Sequence, residues 1–501
     1  MFLILILTIM FLIFVFLFCH FYHWSGLRVR KYMTKIPGYS EPQSWMLSFE
    51  GALMPTEGVR DFLHKIFNPY PSICSVWFLG FPNCNLGSPE NIEVLLKSVQ
   101  HITKGREYFI FSDWLGEGLL TSTGAKWHAN RKMLTPAFHF RILETCVPIF
   151  NRNTELLMKI LTLNLKRENF MNIEKFVSLC SLDIISEAAM GVRIEAQLQK
   201  NSTLEYVNAV RRMGEVSLKR VKAFHLRKDW IYYLTADGRE QKRLLKILHG
   251  FTENVIKESK EKRRLGRING STDLKPAAFV DFLLEMAENE PGAFTDVEIR
   301  QEVDTFMFEG HETTSSSIAW SLLLLGHSPD IQERAYNEVR EIFGDSDRQV
   351  TRQDLTKMTY LEAIIKESLR LYPPVSYMSR TLDTDLDLGD YKVPANSNVL
   401  VIPYFLHRRP ELFPDPEKFD PERFLSNDNL NRHPFMYIPF SGGPRNCIGQ
   451  RFAMMEMKVV LSYFLRRFRI ESVTQREGLK VLFSPILRPL HGTYIKLYHR
   501  M

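Results

Sequence analysis

The chain has 501 residues, 45% of them hydrophobic and 24% charged, with a formal net charge of +7. That apolar share is enough for a sizeable core, and so small a basic excess does not mark a nucleic-acid binder. The six cysteines, at positions 19, 74, 84, 146, 180 and 447, show no paired spacing and no Cys-x-x-Cys, which excludes a disulfide framework and a zinc site.

In chain order, Met1 to Cys19 is apolar apart from Thr8, and the aromatic-rich His20-Phe21-Tyr22-His23-Trp24 comes next. Residues 1–24 are read as a single transmembrane signal-anchor, because about 20 apolar residues span a bilayer and aromatic rings suit its interface. Arg28, Arg30 and Lys31 then hold the remainder of the chain on the cytoplasmic side. With no basic stretch before the apolar run and no small-x-small site after it, a cleaved signal peptide is the weaker reading. Residues 25–45, including Lys35-Ile36-Pro37-Gly38, are expected to form a basic, proline-containing hinge. Residues 46–501 contain no repeat and no Gly/Ser/Pro-rich linker, and read as one large, mainly helical domain.

Apolar periodicity predicts helices over 124–135, 141–165, 205–220, 239–260, 295–326, 329–343, 359–371 and 450–468, with short strands near 391–403 and 480–498. The charged run Lys260 to Lys275, interrupted by Gly266 and Gly270, reads as a solvated loop.

Two stretches carry chemistry. In Glu302-Val303-Asp304-Thr305-Phe306-Met307-Phe308-Glu309-Gly310-His311-Glu312-Thr313-Thr314, helical spacing places Phe306, Glu309, Gly310, Thr313 and Ser317 on one stripe. Gly310 costs about 1 kcal/mol relative to Ala in mid-helix, and room for a ligand is the reason expected for it. The Thr313 hydroxyl can bond the carbonyl four residues back and loosen the helix. With Glu312 it forms an acid–alcohol pair able to relay protons. In Phe440-Ser441-Gly442-Gly443-Pro444-Arg445-Asn446-Cys447-Ile448-Gly449, a lone cysteine sits in a glycine loop just ahead of a helical pattern. Glycines allow the loop to approach a flat macrocycle, and helix N–H groups favour a thiolate. Such a thiolate suits haem iron, where it promotes O–O cleavage. The absence of Cys-x-x-Cys-His excludes c-type attachment.

The Cys447 run resembles the haem-binding signature of the cytochromes P-450, and the likeness extends from about residue 35 to the end. It implies a mainly α fold with small β-sheets, haem b between distal and proximal helices, and Cys447 as the iron ligand. Phe440, Gly443 and Arg445 belong to the same signature. Glu367 and Arg370, with Arg423 of Pro421-Glu422-Arg423-Phe424, match the ion-pair network behind the proximal haem face. The run 302–314 and Trp127-His128-Ala129-Asn130-Arg131 are similar to family 4 of this group, which contains fatty-acid ω-hydroxylases. By that resemblance Trp127, Arg131, Arg380 and Arg445 bind haem propionates, and Glu309 esterifies a haem methyl group. Tyr108, Phe109, Phe111, Trp114 and Leu119 would cap the distal pocket, and Val375 to Met378 and Ser484 to Ile486 would line it. Two positions depart from the group: Glu312 stands where Asp is usual, and Asp113 where Pro is common.

The implied enzyme is a monooxygenase of the endoplasmic reticulum membrane with a cytoplasmic catalytic domain. It takes electrons from NADPH–cytochrome P-450 reductase, with cytochrome b5 as a second donor, and Lys132, Arg432 and Arg451 are candidate docking charges. Terminal hydroxylation of fatty acids is the expected reaction. The alternatives are broad xenobiotic or hormone oxidation, or an O2-independent haem-thiolate isomerase, against which Thr313 argues.

Overall fold

The structure, a computed structural model, describes residues 9–10, 13, 26–78, 80–138, 143–199, 201–268, 278–289, 294–425 and 432–500. Of the expected anchor 1–24 only Ile9, Met10 and Ile13 fall among these, so that expectation lies outside the described residues. Among the described residues, no helix is long and apolar enough to cross a membrane.

One edge of the molecule is a four-stranded sheet of β1 (Ile73–Phe78), β2 (Phe81–Leu86), β3 (Met378–Thr381) and β4 (Asn398–Val401), in the order β1-β2-β4-β3. β1 and β2 form a hairpin with Ile73 opposite Leu86, and β2 runs parallel to β4 with Asn83 opposite Asn398. Residues 33–39 are pinned to the hairpin: Ser75 N–H donates to the Pro37 carbonyl at 2.8 Å and Tyr39 N–H to the Ser75 carbonyl at 2.9 Å. On the other edge, Lys104 bridges to Arg380. A C-terminal set comprises β5 (Phe468–Ser472), β6 (Val481–Phe483), β7 (Leu487–Pro489) and β8 (Tyr494–His499), with β8 antiparallel to β5 and β7 to β6.

The helices are α1 (Leu27–Met33), α2 (Glu41–Leu53), α3 (Val59–Phe67), α4 (Pro89–Lys97), α5 (Gly124–Leu134), α6 (Val147–Leu165), α7 (Ile173–Met190), α8 (Asn201–Lys222), α9 (Ala236–Ile268), α10 (Phe279–Asn289), α11 (Asp296–Gly326), α12 (Pro329–Phe343), α13 (Thr359–Leu371) and α14 (Gln450–Arg467). α11 is the axle. Its 31 residues extend about 46 Å at 1.5 Å per residue, and it packs against α7, α9, α13 and α14. Thr295 and Glu298 close its N-terminus in a capping box: Thr295 Oγ1 accepts from Glu298 N–H at 3.2 Å, and Thr295 N–H donates to Glu298 Oε2 at 3.0 Å.

Two expectations fail here. The run from Lys260 is not a loop, because α9 continues to Ile268; residues 269–275 lie outside the described residues. Two of its charges reach other helices: Lys260 pairs with Asp296 at 2.7 Å on the surface, and Arg263 donates to the Asp281 carbonyl at 3.1 Å. Gly310 does not make room for a ligand. A Cβ there would lie 2.6 Å from the side chain of Ile185, so the glycine allows α7 to cross α11 closely. Phe306, on the same stripe, packs on Phe279 and Phe138, with ring centroids 4.1 and 5.4 Å away.

Candidate active site

The loop before α14 is held by its own backbone. Cys447 N–H donates to the Phe440 carbonyl at 2.9 Å, and Asn446 N–H to the Gly443 carbonyl at 3.1 Å. Gly443 adopts φ +67°, and a Cβ would come within 1.8 Å of the Leu96 carbonyl oxygen at the end of α4. A Cβ on Gly442 would lie 2.7 Å from the Phe435 ring. These two glycines therefore allow close contacts with protein on the side where a Cβ would stand. Phe440 is half-buried beside the loop.

Cys447 is exposed to a water-sized probe, yet it lies deep in the chain. Both hold because its sulfur opens onto an internal space facing α11. Burial, then the Glu309 charge opposite, push its thiol up to about 12, while the Gly449 N–H and Arg131 pull the other way. A thiolate at this position needs a strong positive charge, which a metal ion supplies.

Glu309 faces this space from α11. Burial raises its carboxyl, and Lys104, Arg445 and Arg131 oppose the rise. Arg380 completes the cationic rim. Arg445 is lowered to about 9 by burial and then by Arg380, and Lys104 is lowered well below its ordinary value by burial and then by Arg380 and Arg445. Lys104 Nζ has no carboxylate partner among the described residues and rests 4.6 Å from the Tyr108 ring centroid. This excess of cations suits a ligand with two carboxylates, so the residues present fit haem b.

The rim is also knitted into the fold. Arg131 donates to the Asn446 carbonyl at 2.8 Å and to Asn446 Oδ1 at 2.7 Å, tying α5 to the Cys447 loop. Arg445 donates to four carbonyls, those of Ile102, Ser122, Leu119 and Leu120, which leaves its Nε–H for a ligand. Its guanidinium lies 4.8 Å from the Trp127 ring centroid. Arg380 donates to the Ser379 carbonyl at 2.8 Å.

On the distal side, Thr313 Oγ1 donates to the Glu309 carbonyl at 2.7 Å, the local bond expected of it. No hydrogen bond joins the Thr313 hydroxyl to the Glu312 carboxylate among the described residues. The Glu312 carboxylate turns to Arg488 on β7 and lies 3.1 Å from His311 Nε2. A second buried carboxyl, Glu302, accepts from Leu119 N–H at 3.0 Å and Asn130 Nδ2 at 2.9 Å, and burial raises it to about 7. The aromatic segment 108–115 folds over α11, with the Trp114 ring 4.6 Å and the Phe111 ring 6.1 Å from Phe308. Asp113 is clasped by the Tyr233 hydroxyl and by Gln241 Nε2, the latter at 2.9 Å.

Behind the proximal face, Glu367 and Arg370 are fully buried and paired at 2.7 Å, and Arg423 Nε stands 3.5 Å from Glu367. Arg370 also donates to the His407 and Lys418 carbonyls, so the network expected from sequence is present. Sequence reasoning missed Lys104, Glu302, His311 and Arg488. Lys104 and Arg488 lie in short extended segments without a motif, and only tertiary folding brings them to the site.

A porphyrin iron is the group that uses such a thiol and such a cationic rim together, and it defines the class of haem-thiolate monooxygenases. The chain itself belongs to the cytochrome P-450 family, whose sequence profile matches residues 39–497. It is similar to members of family 4. It is 43% identical to cytochrome P-450 4V2 of Pongo abelii, over 94% of this chain and 91% of the relative. It is 43% identical to cytochrome P-450 4c21 of Blattella germanica over 92% of each chain, and 41% identical to cytochrome P-450 4c3 of Drosophila melanogaster over 96% of this chain and 92% of the relative.

Proposed function

We propose that this monooxygenase hydroxylates fatty acids or similar chains at or near their terminal carbon. Glu309 is the observation that carries the reading. The Glu309 carboxyl and the Cys447 thiol feel each other's charge across the site, and the charges of Lys104, Arg445 and Arg131 favour the ionised Glu309 against its burial. Haem, when bound, supplies the activation of O2. Cys447 would hold its iron, and Trp127, Arg131, Arg380, Arg445 and Lys104 its propionates. Glu309 would replace a hydrogen of a haem methyl group in an oxidation driven by turnover, giving an ester that fixes the macrocycle. Terminal C–H bonds are stronger than internal ones, so only a pocket that admits the chain end selects them. The rings of Tyr108, Phe111 and Trp114, packed on one another and on Phe308, would give such a pocket an apolar wall. Thr313 and Glu312 would pass protons to the oxygen side.

Electrons would come from NADPH–cytochrome P-450 reductase, with cytochrome b5 as a second donor. Lys132 and Arg451 are exposed and suit docking, whereas Arg432 spends a nitrogen on the Arg423 carbonyl at 2.7 Å. The apolar segment 1–24 would anchor the enzyme in the endoplasmic reticulum membrane, with residues 46–501 cytoplasmic. Incubation with reductase, NADPH and a panel of fatty acids, followed by mass spectrometry, tests the reading. Terminal alcohols are expected; turnover of polycyclic or steroid substrates with no fatty-acid product would replace it with broad xenobiotic or hormone oxidation.

A further inference from the structure

Three side chains converge on one oxygen of Asp113. Its Oδ2 accepts from the Tyr233 hydroxyl and from Gln241 Nε2, the latter at 2.9 Å, and Arg220 Nη1 stands 3.6 Å from the same atom. The three are themselves held in place. Gln241 Oε1 accepts from the Tyr232 hydroxyl at 2.8 Å, which turns the amide nitrogen towards Asp113. Arg220 is only 1% exposed: it pairs with Asp229, donates to the Leu226 carbonyl at 3.1 Å and lies 4.1 Å from the Tyr232 ring centroid. Burial, then the bond to Asp113, raises the Tyr233 hydroxyl, which therefore stays a donor at neutral pH.

These contacts join two parts of the chain that are far apart in sequence. Asp113 lies in the run Arg106–Phe111 and Ser112–Leu115, which carries the rings of Tyr108, Phe111 and Trp114. Asp229, Tyr232 and Tyr233 lie in the connection between α8 and α9. Arg220 meets the run a second time at Phe109, whose ring centroid is 5.1 Å from the guanidinium. Behind Asp113 the run is fastened by its backbone: His249 Nε2 of α9 donates to the Trp114 carbonyl at 3.0 Å, and Leu119 N–H donates to Glu302 of α11. Asp113 adds a charged acceptor that fastens it to the connection as well, and hydrogen bonds to a carboxylate are the stronger kind. The residue beside it, Trp114, is the one whose ring lies closest on Phe308, next to Glu309 in α11. A displacement of Asp113 is therefore a displacement of the wall. The clasp belongs to this chain and not to the resemblance, since Asp113 stands where Pro is common and a proline has no side-chain acceptor.

We propose that Asp113 is a positioning residue for substrate selection: by clasping the aromatic wall to the α8–α9 connection it keeps the pocket narrow enough to admit an acyl chain by its end. This rests on the reading of the enzyme as a terminal hydroxylase. One oxygen is all that the clasp needs. Asp113→Asn, with its amide oxygen in the place of Oδ2, keeps both the Tyr233 and the Gln241 bonds, whereas Asp113→Ala loses both and Tyr233→Phe loses one from the other side. Arg220 keeps Asp229 in all three variants.

Two readouts on the holoenzyme test the clasp and its consequence. The first is backbone hydrogen–deuterium exchange, read by mass spectrometry. Asp113→Ala and Tyr233→Phe are each expected to speed exchange about ten-fold in both segments, 106–118 and 223–235, while Asp113→Asn stays near the parent. The second is the ratio of terminal to internal alcohols formed from dodecanoic acid with reductase and NADPH. It should fall several-fold in Asp113→Ala and in Tyr233→Phe, and Asp113→Asn should restore it. Parental exchange in Asp113→Ala, or faster exchange only in the segment that carries the substitution, overturns the proposal. So does a parental product ratio in a variant whose two segments have both loosened, because the wall then moves without changing the carbon attacked. The two readings fail separately: a parent that makes no terminal alcohol removes the terminal reading, and the clasp still stands or falls on whether the two segments loosen together.

Discussion

At the scale of the residue, the account turns on Cys447 and Glu309 facing each other across the site. Protein alone drives the Cys447 thiol up to about 12, so a thiolate here depends on the iron it would bind. Cys447→Ser is expected to abolish the displaced Soret band of the reduced carbon monoxide complex, because an alcohol does not ionise in such a place. A retained band would mean that another residue is the ligand, although the other described cysteines, Cys74, Cys84, Cys146 and Cys180, are all buried. For Glu309, acid extraction into organic solvent after turnover should leave haem on the polypeptide. Glu309→Ala should release all of it and shift oxidation towards internal carbons. Complete extraction from the turned-over parent would remove the ester and weaken the terminal reading, leaving the monooxygenase untouched. Both residues were singled out in the sequence, Cys447 by its glycine loop and Glu309 by the resemblance of its run to family 4. The partners of Glu312 were not. Arg488 reaches it only because β7 lies beside α11.

At the scale of the element, periodicity served where a helix has two different faces. α12 and α13 match their expected bounds, 329–343 and 359–371, and both are strongly amphipathic. α7 escaped notice because it is buried on nearly every side, Leu179, Leu182 and Ile184 included, so it has no polar stripe to report. The end of α9 was misread because charge density resembles a loop when its partners on other helices are unseen. The α7–α11 crossing gives a test. Gly310→Ala gains helix propensity worth about 1 kcal/mol but drives a methyl into Ile185, and such overpacking costs about 1–3 kcal/mol. A net loss of about 1 kcal/mol in thermal unfolding is expected, recovered by adding Ile185→Val. Stabilisation by Gly310→Ala alone would show that the crossing has slack, and that the glycine has another purpose.

At the scale of the whole molecule, buried carboxyls set the response to pH. Burial raises Glu456 to about 8, opposed only by the Ser181 hydroxyl at 2.7 Å, and raises Asp304 to about 8 against Thr252 and Arg300. A raised acid holds its proton in the folded state after the unfolded chain has released it. The folded protein therefore loses stability as pH rises from the ordinary carboxylate range towards about 8, by about 1.4 kcal/mol per pH unit for one fully buried group. Glu456→Gln keeps the Ser181 contact and removes the titration. It should flatten the melting temperature against pH and stabilise the protein most near pH 8; an unchanged slope would mean that Glu456 is ionised in the fold. The proposed reaction puts one oxygen atom on the end of a chain, and that is the claim to test most directly. Turnover of a saturated fatty acid under isotopically labelled O2, with reductase and NADPH, should give a terminal alcohol carrying one labelled oxygen atom. Unlabelled oxygen in the product, or oxidation confined to internal carbons, would contradict it.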